Sequence, residues 1–156
     1  MSKSPSIRRI KADIRELSID PSDQYAASPL EHDMFEWHFT IRGAEGTDFE
    51  GGVYHGRILL PPEYPFKPPN IVFLTPSGRF EINKRLCTSF TGYHQELYSP
   101  SWNIASMCAG LISFMTDSTD NPESKGIGGI HTTKDIKQEF AKNSKNYIKN
   151  NKNIFD

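Results

Sequence analysis

Two cysteines occur in this chain, and their settings differ. Cys108 falls on the apolar face of a helical pattern, where a free thiol behaves as a small hydrophobe. Cys87 falls in "NKRLCTSF", among polar and basic residues. A thiol open to water is intrinsically nucleophilic and is also a competent leaving group. One such cysteine can therefore split an acyl transfer into two easier steps. Lys84 and Arg85 bias it toward thiolate wherever their charges point inward. His94, the nearest imidazole along the chain, has the chemistry of a general base for an incoming hydroxyl or amine.

Other chemistries fit less well. Neither cysteine sits in a Cys-x-x-Cys or Cys/His metal spacing, and two cysteines make no disulfide framework. Reduced thiols in a cytosolic setting are the default. A formal net charge of −1 gives no global drive toward nucleic acid or an anionic membrane. The opening "MSKSPSIRRIKADIRE" has no apolar core of a secretory signal, and residues 97–116 are interrupted by Pro100, Asn103 and serines.

The elements that must position Cys87 read from helix to strands to helices. Ile7, Ile10, Ile14 and Leu17 recur at helical spacing, with Ser4-Pro5 as a start signal. The other side of that helix carries Arg8, Lys11 and Arg15. "FEWHFTIR" alternates strictly, Phe35, Trp37, Phe39 and Ile41 against Glu36, His38, Thr40 and Arg42, as a half-buried antiparallel strand does. Glycines then turn the chain into a strand over 53–60, "NIVFLT" forms another, and Tyr25–Leu30 adds a short one at the edge. From Asn103, Ile104, Met107, Cys108, Leu111, Phe114 and Met115 fit one helix face. Ile136, Phe140 and Tyr147 mark a last amphipathic helix. Grouped strands flanked by helices predict an α+β domain over 5–150: an N-terminal helix, a four-stranded antiparallel meander, a long loop, a central helix and a C-terminal helix. Residues 151–156 read as a polar tail.

Residues 76–101 lack periodicity, and structureless loops of that length inside a domain are usually functional. Phe80, Ile82, Leu86, Phe90, Tyr93 and Leu97 are there to pin this one to the body. Proline clusters frame it: "PPEYPFKPP" before, "YSPSWN" after. The order "LLPPEYPFKPPNIVFLTP", "GRFEINKRLC", "YSPSWNIASM" closely resembles the ubiquitin-conjugating enzyme family, from about Ile7 through the central helix. "TPSGRF", "RLCTS" and "YHQELYSPSW" resemble its membrane-anchored subgroup, which serves endoplasmic-reticulum-associated degradation.

The resemblance implies that Cys87 accepts the C-terminal glycine of ubiquitin as a thioester from the activating enzyme and passes it to an amine or hydroxyl of a protein substrate. It implies no bound cofactor and no metal, ATP being consumed upstream by the activating enzyme. Where most of the family has His-Pro-Asn before the cysteine, this chain has Thr75-Pro76-Ser77. Ser77 and Asn83 are the candidates for oxyanion or loop support. Ser89 replaces an aspartate common elsewhere in the family. Phe66, Pro100 and Ser101 match the two loops on which ubiquitin ligases dock. Arg8, Lys11 and Arg15 match the helix that meets the activating enzyme and ligases. The subgroup implies the cytosolic face of the endoplasmic reticulum membrane, reached through a C-terminal anchor that this chain does not contain. Three other readings stay open on the residues alone. They are a cysteine protease pairing Cys87 with His94, a non-catalytic ubiquitin-binding variant, and a polyproline ligand using the PxxP runs at Pro62–Pro65 and Pro65–Pro68.

Overall fold

The computed structural model describes residues 4–86, 98–116, 129–130 and 132–155. Helix α1 (Ser4–Ile19) is followed by strands β1 (Tyr25–Leu30), β2 (Asp33–Arg42), β3 (Val53–Leu59) and β4 (Asn70–Phe73). Helices α2 (Ile104–Met115) and α3 (Lys134–Asn150) come next, and a short 3-10 turn over Lys152–Phe155 ends the described chain. The four strands form one antiparallel meander in the order β1-β2-β3-β4. The α+β architecture expected from the sequence is therefore the one observed.

The strict alternation of β2 has its physical counterpart in burial. Trp37, Phe39 and Ile41 are buried, opposite Ile58, Gly56 and Tyr54 of β3. Gly56 is required here. A Cβ at that position would lie 2.4 Å from the Val72 carbonyl oxygen and 2.5 Å from Phe39 Cζ, so the ring takes the space of a side chain. Helix α2 joins this core through Ile104, Met107, Cys108, Leu111 and Met115. Its start is fixed by a capping box: Asn103 Oδ1 accepts from the Ser106 N–H at 2.8 Å, and Ser106 Oγ accepts from the Asn103 N–H at 2.9 Å. Burial pushes the free Cys108 thiol up to about 12, so this cysteine is packing material, as its apolar setting suggests.

The expected C-terminal helix is present as α3, but Ile136 and Phe140 are not what packs it. Ile136 and Phe140 are 44% and 36% exposed, and the residues it buries are Ala141 and Ser144. Small side chains let the helix approach the start of β3 closely. Ser144 Oγ accepts from the Val53 N–H at 2.8 Å and donates to the Ala141 carbonyl at 2.9 Å, satisfying a strand-end donor. Hydrophobic spacing alone does not reveal a seam of this kind.

The outer face of the sheet is less solvated than its polar sequence suggests. His38 Nδ1 and His55 Nε2 are 3.0 Å apart, and His55 Nδ1 is 3.1 Å from Thr40 Oγ1. His55 is buried. Burial first, then the charges of His38 and Arg57, lower its pKa to about 4, so the ring is neutral near pH 7.

Candidate functional site

Cys87, Ser89 and His94 lie outside the described residues, as do Phe90, Tyr93 and Leu97. The segment that delivers the chain to Cys87 is described through Leu86, and its construction is specific. Thr75 and Ser77 are fully buried. Thr75 Oγ1 accepts from the His55 N–H at 3.0 Å. Ser77 Oγ accepts from the Arg79 and Phe80 N–H groups at 3.1 and 3.3 Å, closing a side-chain turn. Gly78 follows at φ 79, a conformation that suits glycine.

Beyond the turn, aromatic stacking takes over. Phe80 stacks on Phe73 at 5.1 Å and on Phe114 of α2 at 5.8 Å between ring centroids. The buried Arg79 guanidinium lies 4.7 Å from the Phe80 ring and 5.0 Å from the Phe114 ring, and Nη2 donates to the Phe114 carbonyl at 3.4 Å. Next, the Asn83 N–H donates to the Phe73 carbonyl at 2.8 Å and the Leu86 N–H to the Ile71 carbonyl at 3.0 Å. The chain is thus stitched along the edge of β4, with Asn83 exposed at φ 61, in the left-handed region. Phe80 and Leu86 pin the segment as expected. Ile82 does not: it is 37% exposed, because the left-handed Asn83 reverses the direction of the chain beside it. Lys84 points to solvent and pairs with Glu81 at 3.0 Å, so its charge is not directed inward.

The other expected residues are exposed on two loops and on α1. Phe66 is 70% exposed on the proline-rich loop after β3, and Pro100 and Ser101 are exposed on the loop before α2. Arg8, Lys11 and Arg15 are exposed on α1. Sequence reasoning missed the side chains beneath them. Tyr64, fully buried beside a cis bond to Pro65, donates its hydroxyl to Asp13 Oδ2, and Asp13 is 3% exposed. Arg9 Nε donates to Asp13 Oδ1 at 3.2 Å, Nη1 to the Pro100 carbonyl at 2.9 Å and Nη2 to the Trp102 carbonyl at 2.8 Å. Tyr98 donates to the Pro65 carbonyl at 2.7 Å. Burial raises the Asp13 carboxyl above its ordinary range, although the Tyr64 hydroxyl and the Arg9 guanidinium both favour its charged form. The signal was present in the sequence: Asp13 falls between Ile10 and Ile14 on the apolar side of α1, four residues after an arginine.

Among the described residues, no group of three or more His, Cys, Asp or Glu side chains could hold a metal ion. No helix among them is long and apolar enough to cross a membrane.

A family model described as "Ubiquitin-conjugating enzyme" matches residues 9–153. The chain is 46% identical over 145 residues to human and mouse ubiquitin-conjugating enzyme E2 J1, covering 93% of this chain and 44% of those proteins. It therefore spans less than half the length of these relatives. It is 42% identical over 146 residues to ubiquitin-conjugating enzyme E2 J2-like of Dictyostelium discoideum, covering 94% of this chain and 83% of that protein. Among solved structures it resembles human ubiquitin-conjugating enzyme E2 G1, with a TM-score of 0.61 and 25% identity over 70% of this chain and 93% of that one. On sequence and on fold alike, this chain belongs to the ubiquitin-conjugating enzyme family.

Proposed function

We propose that this chain is a ubiquitin-conjugating catalytic domain whose nucleophile is Cys87. The observation that carries the reading is the match over residues 9–153, which contains the one cysteine outside the core helix. In the first step Cys87 Sγ attacks the glycyl carbonyl of ubiquitin held as a thioester on the activating enzyme. The new C–S bond forms as the old one breaks, and the activating enzyme's thiolate leaves. In the second step a substrate amine or hydroxyl attacks the same carbonyl, loses its proton to a base, and releases the Cys87 thiolate.

The pinned segment supports this reading, because a nucleophile needs a fixed approach to its target. Ser77 and Asn83 act in it as loop support. The Ser77 oxygen is occupied by two backbone N–H groups, and Asn83 contributes its backbone conformation. His94 is the candidate base for discharge, and Ser89 leaves the site without a carboxylate at that position. Phe66, Pro100 and Ser101, with Arg8, Lys11 and Arg15, form the docking surface for the activating enzyme and a ubiquitin ligase. The likeness to E2 J1 and J2-like proteins supports action on protein substrates in degradation at the cytosolic side of the endoplasmic reticulum, with any membrane attachment made outside this domain. ATP is used by the activating enzyme, and the domain itself needs neither cofactor nor metal.

Incubation with activating enzyme, ATP and ubiquitin tests the assignment. The wild-type chain forms an adduct cleaved by reductant, Cys87→Ser forms none or a reductant-stable ester, and Cys108→Ala still charges. A reducible adduct on Cys87→Ser at the wild-type rate would overturn it.

A further inference from the structure

We propose that Asp13 and Tyr64, with Arg9 and Tyr98, are positioning residues that lock α1 and the two docking loops into one surface for a ubiquitin ligase. The proposal rests on the docking reading above. The loop carrying Phe66 and the loop carrying Pro100 lie outside the strands and helices, so no backbone ladder sets the distance between their tips. Side chains set it instead, and they close a circuit. Asp13 accepts from Tyr64. The carbonyl of Pro65, the next residue, accepts from Tyr98 at 2.7 Å, and Arg9 returns from the Pro100 and Trp102 carbonyls to Asp13. Ser6 Oγ adds a donation to the Pro62 carbonyl at 2.5 Å, tying the start of the proline-rich loop to α1 as well.

Each bond in the circuit joins segments far apart in sequence, or turns a side chain of α1 toward them. The circuit is buried at Asp13 and Tyr64 and reaches solvent at Pro100, and the exposed Phe66 and Ser101 directly follow Pro65 and Pro100. A buried carboxylate in a helix core is a poor device for stability, since well-packed apolar side chains serve as well or better. It is a good device for geometry, because a carboxyl group bonded at both oxygens fixes direction as well as distance. Tips held at a set spacing bind a rigid partner without losing loop entropy at that moment.

The test uses the ubiquitin-charged full chain and a ubiquitin-ligase domain chosen because it stimulates wild-type discharge. For each variant it reads the ligase concentration giving half-maximal stimulation and the maximal rate. Tyr64→Phe and the milder Tyr98→Phe are expected to raise the half-maximal concentration about threefold or more, with the maximal rate little changed. Tyr98→Phe in a Phe66→Ala background is expected to add almost nothing, because the anchor it positions is gone. Loss of maximal rate at an unchanged half-maximal concentration would mark a merely structural role and overturn the proposal, as would full additivity with Phe66→Ala. Wild-type stimulation of Phe66→Ala itself would overturn the docking reading, and with it the surface this circuit is said to hold.

Discussion

The Leu86 N–H donates to the Ile71 carbonyl at 3.0 Å, so the residue immediately before Cys87 is tied to the first half of β4. The Leu86 side chain is 1% exposed and belongs to the same core as Ile71 and Phe73. Leu86→Ala removes that anchor and leaves a cavity. It should cost about 2–5 kcal/mol of stability. Urea unfolding reads the loss, and thioester charging measured where the variant is still folded should also slow. Wild-type charging by the folded variant would show that Leu86 does not position the nucleophile.

Asn83 allows backbone and side chain to be separated. At φ 61 an asparagine is tolerated, glycine is at ease, and alanine is strained by roughly 1 kcal/mol or more. Loop support through the backbone predicts that Asn83→Gly discharges ubiquitin at close to the wild-type rate, while Asn83→Ala is slower and less stable. Single-turnover discharge of the charged chain decides between the two roles. If Asn83→Gly is as impaired as Asn83→Ala, the amide side chain itself takes part in the chemistry.

Where the sequence reading succeeded, one physical pattern dominated. The alternation of Phe35 to Arg42 could satisfy only a half-buried strand, and the apolar positions from Ile104 to Met115 could share only one helix face. The pinning of Phe80 and Leu86 was legible because large apolar side chains in an aperiodic loop must go somewhere. Helix α3 is legible as a helix but its interface is not, because a close approach selects Ala141 and Ser144, which hydropathy scores as bland. Asp13 stands out in the sequence as a carboxyl on the apolar side of α1, but its circuit with Arg9, Tyr64 and Tyr98 is not legible there, because the partners lie 51 and more residues apart in several of its bonds. Long-range polar satisfaction has no period. The same holds for Arg79, whose burial depends on two aromatic rings brought together only by the fold.

His55 gives a pH dependence with a definite sign. Its folded pKa of about 4 lies below the ordinary value of 6.5, so between these values the unfolded chain binds more protons than the folded one. The stabilising contribution of the neutral ring is fully present above about pH 6.5 and is lost as pH falls toward 4. From pH 7.5 to pH 5 this group alone should cost about 2 kcal/mol. Urea unfolding of wild type and His55→Gln across that range checks it: the variant should show a shallower decline. Parallel declines would move the effect to other groups.

The proposed thioester at Cys87 leads to an expected acceptor preference, argued from the residues near it in sequence. A lysine is mostly protonated near neutral pH, and it gains from carboxylates and desolvation that help it become a free amine. Here Thr75-Pro76-Ser77 lacks the family's asparagine, and Ser89 stands where an aspartate is common. A serine or threonine hydroxyl is already neutral and needs a base during attack, a role the His94 imidazole can fill. The charged chain should therefore discharge to free serine and threonine as well as to lysine. The hydroxyl rate should rise with pH as a group of near-neutral pKa loses its proton. His94→Gln should lower discharge to serine by roughly a hundredfold while leaving charging by the activating enzyme in place. Single-turnover discharge to each amino acid across pH provides the measurement. Discharge to lysine alone would end the hydroxyl reading, and an unchanged serine rate in His94→Gln would return that histidine to a structural role.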